Sequence, residues 1–192
     1  MSHTEAVART AALLKQRLGP GAPRIAVLLG SGWSPLAAEV QDAVDVTYAE
    51  LPAFPVLAVG GHAGLLRAGR LGGVDVLVLA GRQHAYETGR ADGMRGVIRT
   101  LAAIGIRVLV QTNAAGSLDA ALRPGEVMLV GDHINVPQLS PLFGESDDGR
   151  FVDLSAAYDP VLREQARAAA ARAGLSLHEG VYAWVMGPQF ET

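Results

Sequence analysis

The 192-residue sequence contains no cysteine, so it can form neither a disulfide nor a thiolate metal site, and it has no cysteine nucleophile. No apolar run is long enough to span a bilayer, and the N-terminus lacks the continuous apolar region of a signal peptide. A formal net charge of -3 provides no cationic surface for nucleic acid or an anionic membrane. These absences fit a protein of the reducing cytoplasm and argue against nucleic acid or a membrane as partner.

Several kinds of site also lack their sequence signature. The histidines are scattered without the spacing of a metal site, and no G-x-S-x-G elbow supports a serine triad. Pro35 stands where a dinucleotide fingerprint needs its third glycine, and the Gly-Lys-Ser/Thr of a P-loop is missing. We therefore expect neither a metal nor an organic cofactor. The histidines are His3, His62, His84, His133 and His178.

What the sequence does contain is a regular alternation of strand and helix patterns. Ser2 and Glu5 have capping-box spacing at the first helix, and Ser34 with Pro35 suits the start of a short second one. Two apolar runs separated by two glycines indicate a hairpin over residues 65–84. The alternation predicts an α/β fold with a largely buried, mixed central sheet flanked by helices, in a single domain over residues 1–192.

Three predicted strands end in unusual loops: "GSG" at 30–32, "GRQHAYETG" at 81–89 and "TNAAGS" at 112–117. In open α/β sheets, ligands bind beyond the carboxyl ends of the strands. Three such loops are therefore expected to converge on one ligand.

The chemistry of the second loop favours an anion. Arg82 and His84 alternate at a strand end and are expected to project to the same side, where the planar guanidinium suits two phosphate oxygens. Tyr86 continues that series and offers an aromatic face to a sugar. In the other loops, Ser31 adds a hydroxyl donor, and the small residues 113–116 present backbone N–H groups. His62, in a glycine-flanked loop, is a further candidate.

Six motifs in order resemble the trimeric type of purine nucleoside phosphorylase. They cover residues 25–192 and read "LLGSGW", "GGHAGLL", "GRQHAYETG", "TNAAGSL", "GDHINV" and "GPQFET". The resemblance implies a nucleoside phosphorylase-like fold and a homotrimer in which inorganic phosphate is a co-substrate. The implied reaction is phosphorolysis of a purine ribonucleoside or deoxyribonucleoside to the free base and the sugar 1-phosphate, as in purine salvage.

The resemblance also implies roles for individual residues. Phosphate would be held by Ser31, His62, Arg82, Gln83, His84 and the backbone N–H of Ala114. Tyr86 would meet the ribose, Phe190 would pack on the nucleoside, and Glu191 would bind the purine. His84 and Glu191 are the expected catalytic residues. An ionised Glu191 accepts a hydrogen bond from N1–H of a 6-oxopurine but would repel the N1 lone pair of adenine, so inosine and guanosine are the expected substrates.

Two alternatives stay open at the level of sequence. The related methylthioadenosine phosphorylases share the phosphate loops but usually carry an Arg-His-Gly version of the second, and a binding fragment without activity is the other possibility. Family members continue beyond the FET motif. We therefore expect the sequence to be C-terminally incomplete, and inactive if the polypeptide ends at Thr192.

Overall fold

The computed structural model describes residues 1–57 and 64–189, which divide into two compact units with their boundary between Ala115 and Gly116. Strands and helices alternate in both units, so the predicted α/β fold with a mixed sheet is confirmed. Within these ranges, no helix is both long enough and apolar enough to cross a membrane.

The first unit is built on a five-stranded mixed sheet in the order β2-β3-β4-β1-β5. β1 runs parallel to both β4 and β5, whereas β2, β3 and β4 form an antiparallel meander. The predicted hairpin is confirmed as β3 and β4. The elements are α1 (His3–Leu18), β1 (Ile25–Leu29), β2 (Gln41–Thr47), β3 (Leu65–Leu71), β4 (Val74–Ala80), α2 (Ala85–Thr88), α3 (Arg95–Ile104) and β5 (Val108–Gln111).

The central strands are buried on both faces. Alternate side chains of β4 enter two core clusters, Leu77 and Leu79 in one, Val76 and Val78 in the other. Residues of α1 and α3 complete the first cluster, and the 3-10 helix Ser34–Glu39 covers the second. Because side chains of a strand point alternately to opposite faces, a strand covered on both sides needs the continuous apolar run found here.

Local sequence signals account for most helix ends. Ser2 and Glu5 form the expected capping box at α1, with hydrogen bonds of 3.2 and 2.7 Å. Gly105 ends α3 in the left-handed conformation, with φ of 98°. The prediction that Ser34 is an N-cap is wrong: Trp33 occupies that position and its side chain makes no capping bond, because the 3-10 helix already begins at Ser34, one residue earlier than predicted.

The second unit contains β6 (Val127–Asn135), α4 (Pro160–Arg172) and β7 (Leu177–Trp184), with β6 and β7 paired in parallel. Asp159 caps α4, because its side chain accepts hydrogen bonds from the backbone N–H groups of Val161 and Leu162. No residue from 116 to 189 is buried. The expectation of a largely buried sheet therefore holds for β1 and β4 but is wrong for β6 and β7, and the single domain over 1–192 stays a prediction.

Candidate functional site

The three parallel strands β4, β1 and β5 end at the same edge of the sheet. Leu29, the last residue of β1, pairs with Ala80, the last residue of β4. Gln111 of β5 pairs with Leu28. The loops that follow these strands therefore start side by side, as the carboxyl ends of neighbouring parallel strands must.

The loops contact one another through Thr112. Its hydroxyl accepts a hydrogen bond from the backbone N–H of Gly30 at 2.9 Å, and its carbonyl accepts one from Nη1 of Arg82 at 2.7 Å. Gly30 has no room for a side chain, because a Cβ there would overlap the Thr112 carbonyl and lie 2.9 Å from Cα of Asn113. The predicted convergence of the three loops is therefore observed, and their sharing of one ligand stays a prediction.

Arg82, His84 and Tyr86 form a continuous row in this cluster. Nε of Arg82 lies 3.4 Å from Nε2 of His84, and the rings of His84 and Tyr86 stack with centroids 5.0 Å apart and planes 16° apart. The predicted common side is therefore observed, but not for the predicted reason. β4 ends at Ala80, and the row arises because His84 is the N-cap of α2, in whose first turn Tyr86 lies.

Glu87 holds His84 in place. Its carboxylate accepts the backbone N–H of His84 at 2.6 Å and lies 3.2 Å from Nδ1 of the ring. When Nδ1–H donates to this carboxylate, Nε2 carries the lone pair that receives Nε–H of Arg82. Glu87 was not among the predicted site residues. The sequence feature that could have identified Glu87 is its spacing from His84, since a glutamate three residues after an N-cap completes a capping box.

A buried tyrosine anchors the start of the second loop. The hydroxyl of Tyr48 donates a hydrogen bond to the carbonyl of Gly81 at 2.8 Å, and its ring packs edge-to-face on Phe54 at 4.8 Å. Tyr48 is 4% exposed, and burial raises the pKa of its phenol. The backbone N–H of Tyr48 also donates to the carbonyl of Gly64 at 2.7 Å. The phenol therefore stays a neutral donor that fixes where the loop begins.

Two predicted phosphate ligands lie on the exposed parts of these loops. Ser31 is exposed in a tight turn closed by a hydrogen bond of 3.1 Å from the N–H of Trp33 to the carbonyl of Gly30. Ala114 is exposed two residues beyond Thr112, and its carbonyl accepts from the side-chain amide of Asn113 at 3.1 Å. Both are accessible next to the Arg82 cluster.

Gln83 faces a different neighbourhood from Arg82 and His84. Its side chain lies directly against Gly93, where a Cβ would overlap the amide oxygen, and its backbone N–H points to Sδ of Met94 at 3.4 Å. Gln83 is thus not brought to the cluster by these contacts. Three further predicted site residues lie outside the described residues: His62, Phe190 and Glu191.

The charge of the cluster suits an anion. Arg82 is a fixed cation with planar donors, and the neighbouring loops have small side chains at Ser31, Gly32 and Ala114, where backbone N–H groups can face an anion. Across residues 1–57 and 64–189, no group of three or more His, Asp or Glu side chains is placed to hold a metal ion. The arrangement can hold an oxyanion such as phosphate.

Comparison with known proteins agrees with this chemistry. The sequence model of the phosphorylase superfamily matches residues 24–192. The chain is 40% identical to purine nucleoside phosphorylase 1 of Geobacillus stearothermophilus over 97% of its own length and 69% of the relative's. It is 43% identical to the purine nucleoside phosphorylase of Mycobacterium tuberculosis over 98% of its length and 68% of the relative's.

A solved structure shows the same fold. The crystal structure of Schistosoma mansoni purine nucleoside phosphorylase in complex with inosine superposes with a TM-score of 0.88 at 35% identity, over 98% of this chain and 68% of that one. These relatives do not favour the methylthioadenosine phosphorylase alternative. With a matching family model over most of its length and relatives above 40% identity, the chain belongs to the phosphorylase superfamily and, within it, to the purine nucleoside phosphorylases.

Proposed function

We propose that the protein cleaves the N-glycosidic bond of purine ribonucleosides and deoxyribonucleosides with inorganic phosphate. The observation that carries the proposal is the cluster of Arg82, His84 and Thr112 at the edge where three parallel strands end. The membership in the purine nucleoside phosphorylases supports it independently. The protein is then a pentosyltransferase of purine salvage.

The reaction proceeds by displacement at the sugar. A phosphate oxygen forms a bond to C1′ while the bond from C1′ to N9 breaks, and the electron pair of that bond passes to the purine, which takes up a proton. The sugar is oxocarbenium-like in the transition state, so an anionic phosphate beneath it stabilises the developing positive charge. The products are the free base and the (deoxy)ribose 1-phosphate.

The phosphate is proposed to lie against the exposed sides of the three loops. Arg82 offers its guanidinium, and His84 its Nε2, with Ser31 and the backbone N–H of Ala114 as further donors. With Nδ1–H directed to Glu87, His84 donates to the anion in its protonated form, in which Nε2 carries the second proton and no longer accepts from Arg82. His62 and Gln83 remain predicted phosphate ligands, Gln83 by resemblance alone.

The nucleoside is proposed to lie over Tyr86, whose ring is 42% exposed beside His84 and suits the ribose. By resemblance, Phe190 packs on the nucleoside and Glu191 binds the purine and relieves charge on the leaving base. Because a carboxylate attracts N1–H of hypoxanthine or guanine and repels the N1 lone pair of adenine, 6-oxopurines are the preferred substrates.

Assembly, cofactor use and location are proposals carried by the family resemblance. The protein is a homotrimer of the cytoplasm that needs phosphate as co-substrate and no metal or organic cofactor. Light scattering gives the oligomeric mass directly. A chelator that left the phosphorolysis rate unchanged would support cofactor-free chemistry, and a chelator that abolished it would contradict it.

The proposed function is tested by incubating the 192-residue chain with inosine and inorganic phosphate and measuring hypoxanthine and ribose 1-phosphate. Both products should appear in equal amounts, should require phosphate, and should appear faster than adenine from adenosine or methylthioadenosine. Hypoxanthine formed equally well without phosphate would indicate hydrolysis and contradict the proposal. Absence of product from the 192-residue chain would contradict activity of this chain and would agree with the expectation that a polypeptide ending at Thr192 is inactive.

A further inference from the structure

We propose that Thr112 is a positioning residue for phosphate, because it fixes both the Gly30 loop and Arg82 in the geometry that the anion needs. The inference rests on the proposed function for its meaning but concerns a residue that none of the sequence motifs assigns a role. Thr112 itself offers only one hydroxyl and one carbonyl to the cluster, and both are already engaged by loop atoms. Its action on phosphate therefore passes through its neighbours.

The hydroxyl of Thr112 accepts the hydrogen bond that follows the last backbone pair between β1 and β5. The backbone N–H of Thr112 donates to the carbonyl of Leu28 at 3.0 Å, as the β1–β5 ladder requires. The next N–H along β1 that faces β5 is that of Gly30, and it donates to the Thr112 hydroxyl at 2.9 Å in place of a backbone carbonyl. The residue directly after Gly30 is Ser31, so this side-chain bond fixes the point from which the serine leaves the sheet.

Because the Thr112 hydroxyl accepts the hydrogen bond from Gly30, the Thr112 carbonyl takes no part in the β1–β5 ladder and accepts from Arg82 instead. It accepts from Nη1 at 2.7 Å, while Nε of the same guanidinium lies 3.4 Å from Nε2 of His84. A planar guanidinium held at two of its nitrogens has one orientation. The bond to the Thr112 carbonyl thus sets the plane in which Arg82 faces the anion.

The packing around Gly30 leaves this arrangement little freedom. An added Cβ at Gly30 would overlap the Thr112 carbonyl and lie 2.8 Å from Nη2 of Arg82. The two loops and the arginine are in direct contact, so a shift of the Gly30 loop is transmitted to the guanidinium. Loss of the hydroxyl should therefore weaken phosphate binding without touching any group that contacts the nucleoside.

The test compares Thr112→Val, which keeps the branched shape and removes the hydroxyl, with Thr112→Ser, which keeps the hydroxyl. Thr112→Val should raise KM for phosphate about tenfold, the loss expected when one half-buried hydrogen bond is removed, while KM for inosine changes less than about twofold. Thr112→Ser should restore KM for phosphate to within about threefold of the wild type. The selective effect on phosphate separates positioning from general destabilisation.

Thr100→Val is the matched control. Thr100 is fully buried whereas Thr112 is half-buried, and the Thr100 hydroxyl donates to the carbonyl of Gly96 within α3 at 2.8 Å, away from the strand-end loops. The Thr100→Val variant should have a lower melting temperature than the wild type and an unchanged KM for phosphate. An unchanged phosphate KM in Thr112→Val would overturn the inference, as would equal rises in both KM values or a Thr112→Ser variant as impaired as Thr112→Val.

Titration calorimetry with inorganic phosphate makes the same comparison without turnover. If the wild-type chain binds phosphate but does not cleave inosine, the proposed function fails while the affinity ratio of wild type to Thr112→Val still decides this inference. A ratio of about ten or more supports it. A ratio near one, or a wild-type chain that binds no phosphate, overturns it.

Discussion

The carboxylate of Glu87 makes two contacts with one histidine: it accepts the backbone N–H of His84 at 2.6 Å and lies 3.2 Å from Nδ1 of the same ring. The side chain of Glu87 is 9% exposed, so water competes little for these contacts. A single residue therefore fixes both the start of α2 and the tautomer of His84.

Replacing Glu87 with alanine should raise KM for phosphate about tenfold, because His84 loses the partner that orients its ring. Glu87→Gln should be milder, since the amide oxygen can still accept from Nδ1–H. Steady-state kinetics with phosphate as the varied substrate measures both changes.

Glu50→Ala is the matched control for that variant. Glu50 closes the same kind of capping box, with Thr47 at the 3-10 helix Tyr48–Glu50, and its backbone contact is 3.0 Å long. The Glu50→Ala variant should have a lower free energy of unfolding than the wild type but the same KM for phosphate. The role assigned to Glu87 is wrong if both alanine variants change KM for phosphate equally.

Gly30→Ala should damage both stability and phosphate binding. The new methyl group would collide with the Thr112 carbonyl and Nη2 of Arg82, so the loops must separate at a cost of about 1–3 kcal/mol in the free energy of unfolding. Gly21→Ala is the control, since no heavy atom lies within 4 Å of a Cβ there. Urea unfolding and phosphate titration of both variants provide the comparison, and equal behaviour of the two would contradict the close approach at Gly30.

Tyr48→Phe should lower the free energy of unfolding by about 1–3 kcal/mol, because the carbonyl of Gly81 loses its buried donor. Urea unfolding at neutral pH measures the difference. Since Phe54 still packs on the ring, a loss of folding altogether is not expected. A variant as stable as the wild type would mean that the hydrogen bond to Gly81 contributes nothing.

The buried phenol of Tyr48 also predicts that the free energy of unfolding depends on pH. Burial raises the pKa of Tyr48 above its ordinary value of 10.0, so above pH 10 the phenol ionises in the unfolded chain while it stays protonated in the folded one. The folded state then holds more protons, and its stability falls as pH rises. The advantage of wild type over Tyr48→Phe should therefore be full below about pH 10 and shrink above it. A constant difference across that range would contradict the assigned pKa direction.

The convergence of the loops was predictable from sequence because it depends on strand direction alone. The apolar run from Ile25 to Leu29 and the two later runs are continuous enough to be read as buried strands, and parallel neighbours end at one edge. The glycines and small residues that follow mark the loops. Arg82 and His84 were expected there on charge and spacing.

The contacts within the site were not predictable, since they depend on side chains whose own sequence signal is weak. Thr112 reads as an ordinary last strand residue, although it binds both Gly30 and Arg82. The strand pattern wrongly extended β4 to His84, because nothing in the apolar periodicity shows that an N-cap begins there. β2 was missed because all of its residues except Val46 are exposed, and its apolar and polar residues do not alternate regularly.

Titration calorimetry with inorganic phosphate, applied to the wild type, Arg82→Gln and Arg90→Gln, tests most directly whether the three loops form one phosphate site. Arg90 is exposed and its guanidinium is paired with Asp92, so its variant removes the same charge from a side chain whose ion pair lies outside the Arg82 cluster. The wild type should bind one phosphate per chain, Arg82→Gln should weaken binding at least about tenfold, and Arg90→Gln should remain within about twofold of the wild type. A wild-type chain that binds no phosphate, or equal affinities for the wild type and Arg82→Gln, would contradict the account.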